Sequence, residues 1–307
     1  MARPALLALV GPTASGKTEA GVVLAERLGA EIVSVDSMLV YRGMDVGTDK
    51  PDRPLRARVP HHLLDLVEPN QAFSVAQYQR LAHRVLAHIR DRGRPALLVG
   101  GSGLYFRAVV DELEFPATDP GTRRDLQAEA TALGAEGLHA RLALVDPAAA
   151  ERIEPGNVRR TVRALEVAAV TGRPFSSYAE GWDRYPTERV RAAGIELARP
   201  ALEARIRARV EAMVAAGLLE EVRGLLDRGL FGWLTASQAI GYAEFARHVR
   251  GELSLEQAVE GTVGRTRELA RRQMVWFRRD PRIRWFRAGA EGATALGAEI
   301  EGYLRGG

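Results

Sequence analysis

Hydrophobic and polar positions follow two alternating patterns in the first third of this chain. Short apolar runs bounded by glycine, proline or charge, namely "ALLALV" before Gly11, Glu31 to Val35 and Ala96 to Val99, predict buried strands. Between them lie helical patterns. From Thr18 to Leu28, Ala20, Val23, Leu24 and Leu28 recur at helical spacing, and "FSVAQYQRLAHRVLAHIRDRGRP" aligns Val75, Tyr78, Leu81, Val85, Leu86 and Ile89 before Gly93. "HHLLDLVEP" (His61 to Pro69) reads as a further short strand and turn. Strands alternating with helices predict an α/β fold with a parallel sheet.

From about Phe115 the strands disappear, and Ala, Leu, Arg and Glu dominate between the turn signals "TDPG", "LGAEG", "VDPAA" and "EPGN". This predicts a helical insertion over 115–188 between a first core segment, 1–114, and a second, 189–307. Its clearest helix runs from Val158 to Thr171. After it, "AAGIELA" reads as a strand, followed by helices over "LEARIRARVEAMVAAGLLEEVRGLL", broken at Gly217, "ASQAIGYAEFARHV" and "TVGRTRELARRQMVWFRRDPRIRWF". No internal repeat or low-complexity tail is present.

Length and composition narrow the class. The 307 residues can bury a substantial interior, and no apolar run reaches the ~18 residues of a membrane span. The start "MARPALLALVGP" lacks a small-residue cleavage site, which predicts a cytoplasmic protein with no membrane association. Without cysteine, disulfides and cysteine-held metals are excluded, so any metal must take oxygen or histidine ligands. The net charge is +4, but 11 arginines against 5 acids between Arg247 and Arg287 make that segment strongly basic. Together with Trp276, Phe277, Trp285 and Phe286 this pattern suits RNA, although rings at helical spacing more often pack into a core, and Trp276 or Phe277 is expected to be buried. Only Lys17 and Lys50 are lysine among 43 basic residues.

Lys17 falls in "GPTASGKT", Gly11 to Thr18, the complete G-x-x-x-x-G-K-[ST] spacing between a predicted strand and a predicted helix. Its glycines let backbone amides turn inward, the helix start adds partial positive charge, Lys17 supplies a compact ammonium, and Thr18 can ligate magnesium. Phosphate or diphosphate binding follows; alone, the loop reads as that of an ATP-binding protein. Asp36 ends the neighbouring strand, at the mouth of the same cleft. Three roles fit it: orienting magnesium, acting as a general base, or capping the strand end. His61 and His62, adjacent on a strand, point to opposite faces and are read as structural or as supports standing behind the site. "VGGSGLY" repeats the strand, glycine turn, helix arrangement, bringing Ser102 and Tyr105 to the cleft or making a bare tight turn. Arg159, Arg160 and Arg163 at a helix start oppose its dipole unless an anion meets them.

Seven segments in order, "GPTASGKT", "DSMLVYRGMDVGTDKP", "VGGSGLY", "RRTVRALEV", "TGRP", "AIGYAEF" and "RQMVWFRRDPRIRW", resemble the bacterial tRNA dimethylallyltransferases across nearly the whole chain. The resemblance implies a P-loop NTPase-like, nucleotide-kinase-like core with a helical insertion. It implies transfer of a dimethylallyl group from dimethylallyl diphosphate to the exocyclic amine of the adenine 3′ of the anticodon in tRNA, with Mg2+ and without a partner subunit. Carried onto these positions, Gly11, Pro12, Thr13, Ala14, Ser15, Gly16, Lys17 and Thr18 hold the diphosphate, with Arg209 added as a clamp. Asp36, Ser37, Met38 and Leu39, and Arg159, Arg160, Thr161, Val162 and Arg163, meet tRNA, with Ser102 and Arg123 flanking a channel. Leu39 and Arg159 stand where many members carry glutamine; Leu39 cannot hydrogen-bond a base. The chemistry calls for a carboxylate to take the proton of a poorly nucleophilic amine, with Asp36 as the candidate, and for cations and amides to meet the departing diphosphate. A nucleoside kinase would share the loop but leave the arginine helix unexplained; a non-catalytic RNA-binding module would not need Asp36.

Overall fold

The first apolar run forms β1 (Leu6–Val10), and the glycine-containing segment after it leads into α1 (Lys17–Leu28). The computed structural model describes residues 6–111, 113–179, 181–229, 235–289 and 291–306. Ala5, read with the opening strand, lies outside them. In chain order there follow β2 (Glu31–Ser34), α2 (Arg53–Arg58), β3 (His61–His62), α3 (Val75–Asp91), β4 (Ala96–Gly100) and α4 (Gly103–Val110). The middle of the chain is helical: α5 (Pro120–Val145), α6 (Pro147–Arg152) and α7 (Val158–Thr171). The rest comprises β5 (Val190–Glu196), α8 (Arg199–Ala215), α9 (Leu218–Asp227), α10 (Tyr242–Val249), α11 (Leu255–Phe277), β6 (Ile283–Arg287) and α12 (Gly297–Arg305).

All six strands join one parallel sheet in the order β3-β2-β4-β1-β5-β6. Parallel neighbours require crossovers, and the helices cover both faces. One face carries α1 and α12, whose Ala20, Leu24, Ile300 and Leu304 pack on Leu9, Ile32 and Leu97. The other carries α3, α4 and α8 to α11, with Tyr78, Phe106, Val210, Tyr242 and Phe277 among the buried residues. The expected α/β parallel-sheet core is therefore formed, with β1 in the middle of the sheet and the ends of β1, β2 and β4 side by side. There Gly100 is mandatory: a Cβ would lie 2.4 Å from the Val35 carbonyl oxygen.

The chain divides into two compact units, residues 1–110 with 185–307, and residues 111–184. These cuts replace the boundaries at 115 and 188 drawn from composition. The second unit packs Leu126, Leu138, Leu142, Ile153, Val162 and Leu165 together, and Gly134 at φ 71° kinks α5.

Two helix readings need correction. "ASQAIGYAEFARHV" is helical as α10 only from Tyr242; Gly241, at φ 96°, interrupts it. The last predicted helix stops at Phe277, and "IRWFR" is the edge strand β6. Asp280 explains the break, because its carboxylate binds Arg282 Nε at 2.9 Å, Arg282 Nη2 at 2.7 Å and the Arg282 amide at 3.0 Å. Pro281 cannot continue the helix.

Candidate active site

The loop between β1 and α1 is shaped by its small residues. Gly16 caps α1 in the left-handed region at φ 83°, and Ala14, a non-glycine, is held there at φ 60°. A side chain at Gly11 would come within 2.8 Å of the Ile195 carbonyl oxygen. Ser15 Oγ is buried with no hydrogen-bond partner among the described residues, an unmet polar atom inside the loop. Lys17 Nζ donates to the Pro12 carbonyl oxygen at 3.0 Å, and its pKa is lowered to about 8, first by burial and then by the nearby Arg209 cation, with Asp36, Asp49 and Glu19 acting in the opposite direction. A half-buried ammonium facing another cation is a site arranged for an anion.

Arg209 on α8 supplies that second cation. It donates from Nη1 to Thr13 Oγ1 at 2.9 Å and faces Asp49 Oδ2 at 3.3 Å. One helical turn earlier, Arg205 was absent from the sequence reading. It makes no hydrogen bond or ion pair among the described residues, and its Nη1 would lie 3.2 Å from a Cβ on Gly16. The spacing Arg205, Arg209 on one helix was a signal available in the sequence.

Two cavities meet at the loop. The larger, about 660 Å³, is lined by Thr13, Lys17 and Thr18 at the loop, by Asp36 to Leu39 after β2, and by Gly101 to Leu104 after β4. The smaller, about 370 Å³, holds Ala14, Gly16, Arg205 and Gly292 to Thr294. Lys17, Thr18, Asp49 and Arg209 line both. The larger cavity also has an aliphatic side, Ile206, Val210, Met213 and Leu269, large enough for a short hydrocarbon.

Asp36 is fixed in this cavity by its own turn. Its Oδ1 accepts from the Met38 amide at 2.9 Å, and among the described residues no other protein group binds its carboxylate. The end of β2 is held by Tyr78, whose hydroxyl donates to the Ser34 carbonyl oxygen at 2.6 Å and whose ring lies 4.2 Å from that of Tyr105. Burial raises the pKa of both phenols, and the charge of Asp36 adds to it. Ser102 donates its amide to the Val35 carbonyl oxygen at 3.1 Å, and its hydroxyl accepts from the Tyr105 amide at 3.4 Å, so it caps α4 while lining the cavity.

The loop after β2 is pinned from two sides. Glu221 accepts the amides of Asp45 and Val46 at 2.8 Å and of Gly47 at 3.0 Å, and Tyr242 donates to it at 2.7 Å. Lys50 is a structural staple: its buried ammonium binds the Tyr41 carbonyl oxygen at 2.7 Å, Asp45 at 2.5 Å and Asp65 at 2.6 Å. His62 is structural, bonded to Glu31 at 2.7 Å, while His61, bonded to the Val59 carbonyl oxygen at 2.9 Å, also lines the larger cavity. From α11, Gln273 Oε1 accepts the Thr13 amide at 2.8 Å.

Oxygen donors for a divalent cation are the Thr18 hydroxyl and the carboxylates of Asp36 and Asp49. Among the described residues no three His, Cys, Asp or Glu side chains gather to hold an ion alone. A sparse oxygen set of this kind fits magnesium, which completes its shell with water and substrate phosphate.

Residues 39–280 match the family of IPP transferases. The tRNA dimethylallyltransferase of Streptomyces coelicolor is 50% identical over 294 residues, 95% of this chain and 93% of that protein. That of a Nocardioides species is 52% identical over 285 residues, 93% of this chain and 92% of the relative. The chain belongs to the tRNA dimethylallyltransferase family. A full-length tRNA isopentenylpyrophosphate transferase from Bacillus halodurans superposes with a TM-score of 0.70 at 39% identity, covering 98% of this chain and 95% of that one. A eukaryotic dimethylallyltransferase shares the fold, with a TM-score of 0.81 at 22% identity, covering 97% of this chain and 77% of its own.

In this dimethylallyltransferase-family chain the arginine helix α7 proves less open than its sequence pattern implied. Arg159 and Arg160 are exposed, but Thr161 and Val162 are buried, so their side chains are withdrawn from any RNA-facing set. Helical geometry explains this, since Val162 turns into the core of the second unit. Arg163 donates to Glu166 and to the Pro116 carbonyl oxygen, both at 2.7 Å, and Arg123 donates to the same fully buried Glu166 at 2.7 Å. Those two cations neutralise an internal carboxylate. In the first unit, Phe277 is buried and Trp276 is 39% exposed.

Proposed function

We propose that this protein transfers the dimethylallyl group of dimethylallyl diphosphate to the exocyclic amine of the adenine 3′ of the anticodon in tRNA, releasing diphosphate. The observation that carries the reading is the opening of Asp36 and of Lys17 with Thr18 into one cavity. A base and a phosphate site sharing a space suit a reaction whose nucleophile and leaving group lie on opposite sides of one carbon.

The adenine amine is a weak nucleophile because its lone pair is delocalised into the ring. Asp36, held by the Met38 amide, accepts the proton as nitrogen attacks the allylic carbon. The bond between that carbon and the bridging oxygen breaks, and both electrons leave on the diphosphate. Lys17, the loop amides and Arg209 meet the growing charge, and Lys17 is fully effective while protonated, below about pH 8. Magnesium, held through Thr18 and substrate oxygens, would add positive charge at the leaving group. The aliphatic side of the cavity takes the five-carbon chain and excludes water. The target base must be extruded from its stack, at a cost of a few kcal/mol offset by contacts to the RNA. Both reacting sites come from one chain, which supports action as a monomer. A tRNA substrate supports a cytoplasmic location, and among the described residues no helix is long and apolar enough to cross a membrane.

The test is incubation with dimethylallyl diphosphate, magnesium and unmodified tRNA, followed by nucleoside mass. A dimethylallyl adduct on adenosine is expected. ATP consumption without an adduct would overturn the reading in favour of a kinase. Asp36→Ala should abolish transfer while sparing tRNA binding.

A further inference from the structure

Trp276 and Phe277 are neighbours on α11 with opposite environments. Phe277 is fully buried, its ring 6.0 Å from that of Phe106, and supplies the packing of this helix against α4. Trp276, about 100° further round the helix, is 39% exposed and lines the larger cavity. Its indole edge lies on Gly103: a Cβ there would stand 1.9 Å from Cδ1 and 2.1 Å from Nε1. Only glycine at the start of α4 allows the ring this position. Gly103 follows Ser102, whose amide is bonded to the Val35 carbonyl oxygen, so the ring rests beside the turn that adjoins Asp36.

The cavity has two chemically different sides. Ile206, Val210 and Met213 of α8 make the aliphatic one, which Leu269 borders from the α11 stripe that carries Trp276. Trp276 stands with Arg272, which lines the same cavity, keeps a side chain 57% exposed and is paired only loosely, at 3.7 Å, with the exposed Glu268. A broad aromatic ring beside a solvent-reaching guanidinium is the pairing that receives a nucleobase and its phosphate, whereas a hydrocarbon tail is served by the dry side. We propose that Trp276 is the stacking platform on which the extruded target adenine lies while Asp36 reaches its amine. Trp276 is thereby a positioning residue. The inference rests on the tRNA reading above and adds the group that orients the base.

The test uses the full chain and a tRNA carrying 2-aminopurine, a fluorescent isomer of adenine, at the target position. In the wild-type complex the probe is quenched by the indole. With Trp276→Ala its fluorescence should rise several-fold, and KM for unmodified tRNA should increase about tenfold, the scale of one lost stacked base. Trp276→Phe should restore most of both, and inorganic diphosphate binding should stay unchanged in each variant. Unaltered fluorescence and KM in Trp276→Ala would overturn the proposal. So would an effect on KM for dimethylallyl diphosphate alone, which would assign the ring to the prenyl chain. Equal loss of diphosphate binding would reduce Trp276 to a packing role, likewise overturning it. A wild-type protein that binds diphosphate but no tRNA would instead overturn the tRNA reading itself.

Discussion

Arg209 faces Asp49 across 3.3 Å while donating to Thr13 Oγ1 at 2.9 Å, so a cation of the proposed phosphate site is shared with a carboxylate of the protein's own. Asp49 lines both cavities and sits at φ 54°, in the left-handed region that asparagine also tolerates. A fixed negative charge here competes with an incoming anion. Asp49→Asn is expected to tighten diphosphate binding a few-fold in calorimetric titration. Weakened binding in magnesium would show that the carboxylate serves the cation instead.

Lys17 carries the opposite tension. A lysine whose folded-state pKa is about 8, against 10.5 for the free side chain, is less willing to hold its proton when folded. At pH 7 both states are protonated and the penalty is fully present; stability then rises with pH between about 8 and 10.5, where the unfolded chain binds more protons. Lys17→Met should therefore raise the unfolding free energy at pH 7 by roughly 2 kcal/mol in urea titrations. The same variant should lose diphosphate binding. In the wild type, diphosphate affinity should fall as pH rises past about 8, with proton uptake on binding near that pH.

Arg205 has no protein partner among the described residues and lies beside Gly16. Charge-assisted contacts of guanidinium to phosphate are among the stronger hydrogen bonds. Arg205→Ala should weaken diphosphate by about tenfold and raise KM for dimethylallyl diphosphate, leaving KM for tRNA unaffected. Steady-state kinetics with each substrate varied in turn would check this.

Glu221 gathers three consecutive amides and the Tyr242 hydroxyl, and thereby shapes the segment that presents Thr48 and Asp49 to Arg209. Gly47 is required there, because a Cβ would meet the Tyr242 ring at 2.6 Å. Glu221→Ala should cost about 1–3 kcal/mol in urea unfolding, from the amides left unpaired, and raise KM for the diphosphate substrate. Tyr242→Phe should do less, since Glu221 keeps its backbone partners.

Legibility in the sequence followed the range over which each feature is determined. The Gly11 to Thr18 loop, the strand ending before Asp36 and the span of α7 are set by neighbours in the chain, and their spacing sufficed to read them. The segment after Phe277 misled because its apolar spacing fits a helix as well as a strand until the Asp280–Arg282 contacts are seen. Thr161 and Val162 were assigned by motif, and burial is a tertiary property that no motif encodes. Arg205 and Gln273 escaped notice because they reach the site from α8 and α11, remote in sequence from the loop they meet, and Trp276 was read for RNA or for the core without its place in the cavity. The helical spacing of Leu269, Arg272, Gln273 and Trp276 is nonetheless present in the sequence, and the structure turns that stripe to the cavity.

The two cavities that share Lys17, Thr18, Asp49 and Arg209 have different remaining walls. On the proposed reading, a spent diphosphate would depart by the small mouth past Arg205 while the nucleic acid still fills the wide one. Release of the two products then needs no fixed order, and inhibition by diphosphate should compete with the prenyl donor without competing with the RNA.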